Sequence, residues 1–398
     1  MSTAAGEPGV ATDSVDGLLA ARAAAGWFDE QAPRLARVCH AMAERFARGG
    51  RLLVVGCSAA DATDVAHVEV EFVHPVIVGK RALPALALET ADIALHADRD
   101  DIVMAFGDAD EVRTAVAAAR GRGCLTIAFA GSGAAWEFPA PTQDPFVAQE
   151  LIETTYHVLW ELVHVFFEHR GLLAGRTERA HHDSGASGFL YPFLDEREDD
   201  LDAVLGDVAD SVRAKAAEAH ALRAATLRDG FAEVRAAAAA VRRSLHDGGR
   251  LLALGNGGSA TDAADIVADF RAPPAGSGWP ARPALDLTSS SAVLTAVAND
   301  VGVEAIFTRQ VIAHGRPGDV LVAISTSGGS RNVLHALAQA RRDGLVTVAL
   351  VGYDGGAVLA DRLADHVVVA RSEHIPRIQE AQATVLHALR TWVEEPPR

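Results

Sequence analysis

The chain writes one pattern twice. GGRLLVVG at 49–56 returns as GGRLLALG at 248–255, each followed by a turn of small residues and then a helical stretch, CSAADATDVAHVEVEF in the first copy and NGGSATDAADIVADF in the second. Further on, DDIVMAFGDADEVRTAVAAARGRGCLTIAFAG parallels GDVLVAISTSGGSRNVLHALAQARRDGLVTVALVG. Gln149, Glu150, Thr154 and His157 then keep the mutual spacing of Gln379, Glu380, Thr384 and His387. Four matched blocks in the same order mark a duplication, so the fold must be one that a single unit can form twice.

Within each copy, short continuous apolar runs such as LLALG, DVLVAIS and VTVALVG alternate with helical periods such as SRNVLHALAQARRDG. Such runs predict parallel strands covered on both faces, a doubly wound α/β sheet. Long opening helices (about 17–47 and 201–246) and closing helices (147–169 and 377–394) should pack beside each sheet as bundle helices. This gives a first domain over 1–170, a linker over 171–200 and a second domain over 201–398. The linker carries HHDSGASGFLYPFLDEREDD, which is Gly/Ser-rich, then acidic, with no sustained period. His181, His182 and Asp183 within it share no face and read as solvated.

A length of 398 residues allows two or three domains. The net charge of −17 argues against a broad basic surface for nucleic acid, so an anionic ligand needs a local device. Cys39, Cys57 and Cys124 are too few for a disulfide framework or a four-cysteine zinc site. The N-terminal residues lack the basic start and apolar run of a secretory signal. The apolar helix 151–167 is interrupted by Glu153, His157, Glu161 and His164, which argues against a membrane span. The expectation is a soluble cytoplasmic protein.

That local device is visible in the second copy. The run DVLVAIS leads into Ser325, Thr326, Ser327, Gly328, Gly329 and Ser330 before a helix begins. Small residues let backbone N–H groups converge, hydroxyls add donors, and the helix N-terminus supplies partial positive charge, a combination suited to a phosphate monoester. Asn256, Gly257, Gly258 and Ser259 form a second turn of this kind. On the helix after it, Asp262, Asp265 and Asp269 share a face. Gln379 and His387 lie about 80° apart around the closing helix, so both can border one cleft.

GNGGSATDAADIVADF, VLTAVANDVG, GDVLVAISTSGGSRNV, VGYDGG and RIQEAQATVLHAL resemble the sugar-isomerase (SIS) domain, in its sedoheptulose-7-phosphate isomerase branch. The resemblance covers about 201–398 directly and the first half through the repeat. It implies phosphate binding by Ser325, Thr326, Ser327, Ser330 and Ser259, and sugar contacts from Asn256, Gly257, Gly258, Asn299, Asp300 and Gln379. In this family the helix after the first turn carries a His and, four residues later, a Glu that serves as base and often as zinc ligand. Here Asp265 and Asp269 stand in those places, and Pro376 replaces an acidic residue. The resemblance therefore implies Asp269 as base, His387 as its acid–base partner, and a zinc site from Asp265, Asp269, Gln379 and His387, with no organic cofactor.

In the first copy Gly107, Asp108, Ala109 and Asp110 replace the hydroxyl turn, and Cys57 and Ser58 replace NGGS in what reads as a shortened loop. The first lobe is thus expected to keep its packing and lose its phosphate cradle. As a built-in subunit partner it would offer His157, Glu69 or His67 to its neighbour, and a homodimer would assemble four lobes. The expected activity is aldose–ketose isomerisation of sedoheptulose 7-phosphate to a heptose 7-phosphate. A non-catalytic phosphosugar-binding, assembly or regulatory protein is the alternative, favoured by the two aspartates at the His and Glu positions.

Overall fold

The computed structural model describes residues 15–22, 26–76, 80–168, 173 and 200–395. His181, His182 and Asp183 lie outside them. The first half contains α1 (Val15–Ala21), α2 (Trp27–Ala47), β1 (Leu52–Val55), α3 (Ala59–Val73), β2 (Ala85–Ala87), α4 (Ile93–His96) and β3 (Ile102–Ala105). It continues through α5 (Asp110–Arg122), β4 (Leu125–Ala128), β5 (Trp136–Glu137), α6 (Pro145–Val163) and α7 (Val165–Glu168). The second half opens with α8 (Leu201–His246), β6 (Leu251–Leu254), α9 (Gly258–Arg271), β7 (Ala284–Asp286) and α10 (Ser291–Asp300). It closes with α11 (Thr308–His314), β8 (Val320–Ser325), α12 (Arg331–Arg342), β9 (Val346–Gly352), α13 (Gly356–Ala360), β10 (His366–Ala370) and α14 (Ile375–Glu394).

Two five-stranded parallel sheets result, one in the order β2-β1-β3-β4-β5 and the other β7-β6-β8-β9-β10. The orders are the same once the strands are matched by position in each copy, so the duplication seen in the sequence is a duplication of topology. The central strands β1, β3, β4, β6 and β8 are buried along their whole length, as parallel strands with helices on both faces must be.

The repeated GGR has a mechanical reason. Gly49 and Gly248 sit at φ +92° and +89°, ending the helices before each sheet. A Cβ on the glycine that follows would meet backbone, the Asp100 carbonyl oxygen at 2.0 Å for Gly50 and the Gly318 carbonyl oxygen at 2.7 Å for Gly249. The arginines then meet matched aspartates: Arg51 N–H donates to Asp101 Oδ1 at 2.8 Å and Arg250 N–H to Asp319 Oδ1 at 2.9 Å.

Helix α8, about 69 Å long at 1.5 Å per residue, ties the halves together. Its Val204, Val208 and Val212 lie in the core of the first lobe, while Leu227, Val234 and Val241 lie in the core of the second. Leu18 and Leu19 of α1 also pack in the second core, so an element from each half is lent to the other. The opening helix expected at 17–47 is found as α1 and α2, and Gly26 enters α2 in the left-handed region at φ 93°. Among the described residues, no helix is long and apolar enough to cross a membrane.

One ion-pair cluster also crosses between the halves. Arg377 of α14 meets Glu161 of α6 at 2.6 Å, and Lys215 of α8 bonds the same carboxylate. Although burial pushes the Glu161 carboxyl up, Lys215, Arg377 and Lys80 bring it down to about 2. A carboxylate lowered in the folded state stabilises above its unfolded value, about 4.3, and that stability is lost as the pH falls through the folded value. Glu161→Gln is therefore expected to cost about 3 kcal/mol at neutral pH. The difference from the parent should shrink between about pH 4 and pH 2, which urea melts across pH would show.

Candidate active site between the lobes

The lobes face each other through α3 and α6 of the first and α9 and α14 of the second. Each face carries the same pattern. With Thr63-Asp64 set on Thr261-Asp262, Phe72 falls on Phe270, and His67 and Glu71 then fall on Asp265 and Asp269. The first copy thus holds the His and, four residues on, the Glu that the second lacks.

Two clusters follow, related by the internal two-fold. In the first, His67 Nε2 lies 3.4 Å from His157 Nε2, 3.8 Å from Glu71 Oε1 and 3.2 Å from Gln379 Nε2. The glutamine comes from the other lobe. Both imidazoles are held from behind, His67 Nδ1 by Tyr156 OH at 3.0 Å and His157 Nδ1 by Glu380 Oε1 at 3.0 Å. This leaves both Nε2 atoms aimed at the same point. In the second cluster, His387 Nε2 lies 3.5 Å from Asp265 Oδ2 and 3.9 Å from Asp269 Oδ2. His387 Nδ1 meets Glu150 Oε1 at 2.9 Å, and Gln149 of the first lobe donates to Asp265 Oδ1 at 2.9 Å.

Electrostatics separate the clusters. Burial and the neighbouring His157 lower the proton affinity of His67, so its imidazole stays neutral. Burial pushes Glu71 up to about 7, near the working point of a general base. Against its burial, hydrogen bonds to Asp265 and Glu150 raise His387 to about 10. Burial, then Asp265, raises Asp269.

The hydroxyl-rich turns of the second lobe lead into helices whose N-termini carry no side-chain cap. Gly257 precedes α9 at φ 56° and no side chain caps that helix, nor does any cap α12 at Ser330. Ser325 Oγ accepts from Gly328 N–H at 3.2 Å, Ser327 Oγ accepts from Gly329 N–H at 3.2 Å, and Asn256 pairs with Asn332 through both amides. Ser259 is buried at the start of α9, while Thr326 is half-buried and Ser327 exposed. Asn299 and Asp300 end α10 exposed and bonded to each other at 2.8 Å. Four residues later, Glu304 pairs with Arg331 at the first turn of α12.

The first lobe fills its own anion position. Its turn is not shortened: helix begins three residues after the strand-ending glycine in both copies, at Ala59 and at Gly258. Asp61, aligned with Ser259, accepts from Ser58 N–H at 2.9 Å and Cys57 N–H at 3.3 Å, and its carboxylate lies 2.7 Å from where a Gly107 Cβ would be. Ser58 and Asp61 thus form a capping box in which the Asp61 carboxylate takes the backbone donors of that turn. Asp108 and Asp110 are exposed, the latter pairing with Arg113 at 2.7 Å. Glu69 accepts from Ala87 N–H at 2.9 Å, an edge-strand role.

One contact shows which cluster the Gly258 turn adjoins. A Cβ on Gly258 would lie 1.8 Å from Gln379 Nε2 and 2.9 Å from His67 Nε2, so the cradle turn of the second lobe abuts the histidine of the first. Asp269 sits eleven residues down the same helix, about 16 Å along its axis. The Asp269 and His387 side chains adjoin Thr63 and Gln149 of the first lobe through Asp265, away from that turn. The four residues expected to share one ion do not all meet. Asp265, Asp269 and His387 converge, but Gln379 lies about 12 Å along α14 from His387, because eight helical residues rise that far even when they share a face.

Residues 216–352 match the SIS domain model. The phosphoheptose isomerase of Chlorobium phaeobacteroides is 42% identical over 203 residues, covering 50% of this chain and 85% of that protein. The chain belongs to the SIS-domain family. The phosphoheptose isomerase of Thermodesulfovibrio yellowstonii is 37% identical over 196 residues, covering 48% of this chain and 92% of its own. The C-terminal domain of glucosamine-fructose-6-phosphate aminotransferase from Francisella tularensis is 11% identical with a TM-score of 0.53, covering 92% of this chain and 94% of that one. That likeness concerns the fold alone, and it spans both sheets of this SIS protein.

Proposed function

We propose that the protein is a phosphosugar aldose–ketose isomerase, acting on sedoheptulose 7-phosphate to give a heptose 7-phosphate, at one site assembled from both halves. The second lobe contributes the cradle of Ser259, Ser325, Thr326, Ser327 and Ser330, together with Gln379. The first contributes His67, Glu71 and His157. The observation that carries this reading is the approach of the Gly258 turn to His67 and Gln379. It moves the base from Asp269 to Glu71 and the partner group from His387 to His157. A missing methylene at Asp269 then needs no compensation.

Isomerisation requires a proton to leave the carbon beside the carbonyl and return to its neighbour, and another to pass between the two oxygens. Glu71 Oε2, buried without a hydrogen-bond partner, takes the carbon-bound proton as the electron pair moves toward the carbonyl oxygen. The same carboxyl returns it to the adjacent carbon of the enediol. His157 Nε2, fixed through Glu380, handles the oxygen-bound proton.

Zinc fits these residues. His67 Nε2 and Glu71 Oε1, 3.8 Å apart, are nitrogen and oxygen donors of the kind zinc accepts, and His67, Glu153 and His157 offer three ligand atoms within 4.8 Å of one another. Bound there, the ion would polarise the sugar oxygens as a Lewis acid.

The experiment is turnover of sedoheptulose 7-phosphate by the purified chain, with thermal melts in parallel. Turnover is expected. Stabilisation by the sugar phosphate without turnover would leave the binding-protein alternative standing. Ser325→Ala with Ser327→Ala is expected to raise KM roughly tenfold or more by removing two turn-ordering hydroxyls; calorimetric affinity for the sugar phosphate checks it.

A further inference from the structure

His67 approaches the Gly258 turn with one ring nitrogen, and its far nitrogen is held by a pair of side chains that the second lobe keeps only in part. Tyr156 of α6 stands against the His67 ring with centroids 5.4 Å apart at 62°, and its hydroxyl lies 3.0 Å from His67 Nδ1. The same hydroxyl donates to Asp64 Oδ1 of α3 at 3.3 Å. All three side chains are buried. In the other copy Asp64 is matched by Asp262, but Leu386 stands for Tyr156 and Asp265 for His67, so hydroxyl and imidazole are lost together.

The available hydrogens fix the state of the ring. A tyrosine hydroxyl has one proton, and a neutral imidazole carries a hydrogen on only one of its nitrogens. Tyr156 gives its proton to the bond with Asp64, so toward His67 it offers a lone pair, and Nδ1 must bring the hydrogen. Burial raises the Asp64 carboxyl, yet Oδ1 still accepts when a proton sits on Oδ2. The other end of the ring agrees, since the Gln379 amide nitrogen, a donor, lies 3.2 Å from Nε2.

We infer that Tyr156, anchored by Asp64, is a positioning residue that holds His67 in the tautomer with its hydrogen on Nδ1, so that a bare Nε2 faces the Gly258 turn. The inference deepens the isomerase reading and rests on it for its purpose: only a bare Nε2 can accept from a sugar hydroxyl or hold a zinc ion there. Without the tyrosine a hydrogen on Nδ1 would be buried with no partner, whereas on Nε2 it would meet His157 Nε2 at 3.4 Å.

The test reads the tautomer on the full chain, with histidine labelled by the heavy nitrogen isotope, from the two-bond proton–nitrogen correlations of the rings. His67→Asn identifies the signal among the 16 histidines. The parent is expected to carry the hydrogen on Nδ1. Tyr156→Phe should move it to Nε2, and so should Asp64→Leu, because the released hydroxyl then donates to Nδ1. A tyrosine that served only as packing would leave the ring of Asp64→Leu unchanged. Tyr156→Phe should also lower kcat/KM for sedoheptulose 7-phosphate by roughly 10- to 100-fold. A parent ring with its hydrogen on Nε2, or either variant that keeps it on Nδ1, overturns the assignment. A moved hydrogen with the parent's kinetics overturns the positioning role. A parent that turns over no sugar phosphate refutes the isomerase, and the spectra still decide the tautomer and what sets it.

Discussion

Glu71→Gln is expected to lower kcat by roughly 10²- to 10⁴-fold, the span that a positioned general base contributes, with KM for the sugar phosphate nearly unchanged. The amide is isosteric and keeps a partner for Gln379, but it cannot accept the carbon-bound proton. Asp269→Asn, the same change at the equivalent position of the other copy, should leave kcat within about twofold. The pair decides between the two arrangements that the chain permits. Loss at Asp269 with full activity at Glu71 would return the base to the second lobe, and steady-state kinetics on both variants suffices to tell.

Gly258→Ala is expected to lower kcat/KM by about 10²-fold or more while leaving the fold intact. The new methyl would meet the ends of two side chains, Gln379 at 1.8 Å and His67 at 2.9 Å, and no backbone. Such ends can swing away, and alanine is a better helix former than glycine, so the thermal midpoint should hardly move. What shifts is the relation between the cradle and the proton-transfer groups, where a displacement on the order of 1 Å costs about that factor in rate. A rate equal to the parent's, beside an unchanged melt, would show that His67 and Gln379 need not hold their present places.

Duplication supplied two cradles and two proton-transfer clusters. On the proposed reading one intact member of each kind survives, in opposite lobes, where the Gly258 turn approaches His67. Asp61 occupies the other cradle, and Asp265 and Asp269 mark the other cluster.

Much of this was legible in order along the chain. The repeated GGR, the buried four-residue strands and the hydroxyl turn each act over a few residues, so the sequence carries their physics locally: left-handed glycines, apolar runs and helix N-termini. His67 and His157 were visible as contributions from one lobe to the other. Setting Phe72 on Phe270 also aligns His67 and Glu71 with Asp265 and Asp269, a signal local spacing alone does not single out from Glu69. Gln379 and His387 do not share one site because eight helical residues rise about 12 Å even where the angle around the axis brings them to one face.

The sequence by itself determined two copies of a parallel α/β unit, one with a hydroxyl-rich turn before an uncapped helix, because strand burial, turn conformation and helix capping are set by near neighbours. Only the tertiary structure decided which cluster lies beside that turn. Packing of α3 and α6 against α9 and α14 brings residues more than 200 positions apart into contact, as where His67 meets Gln379, and no local spacing encodes which face of one lobe will close on the other.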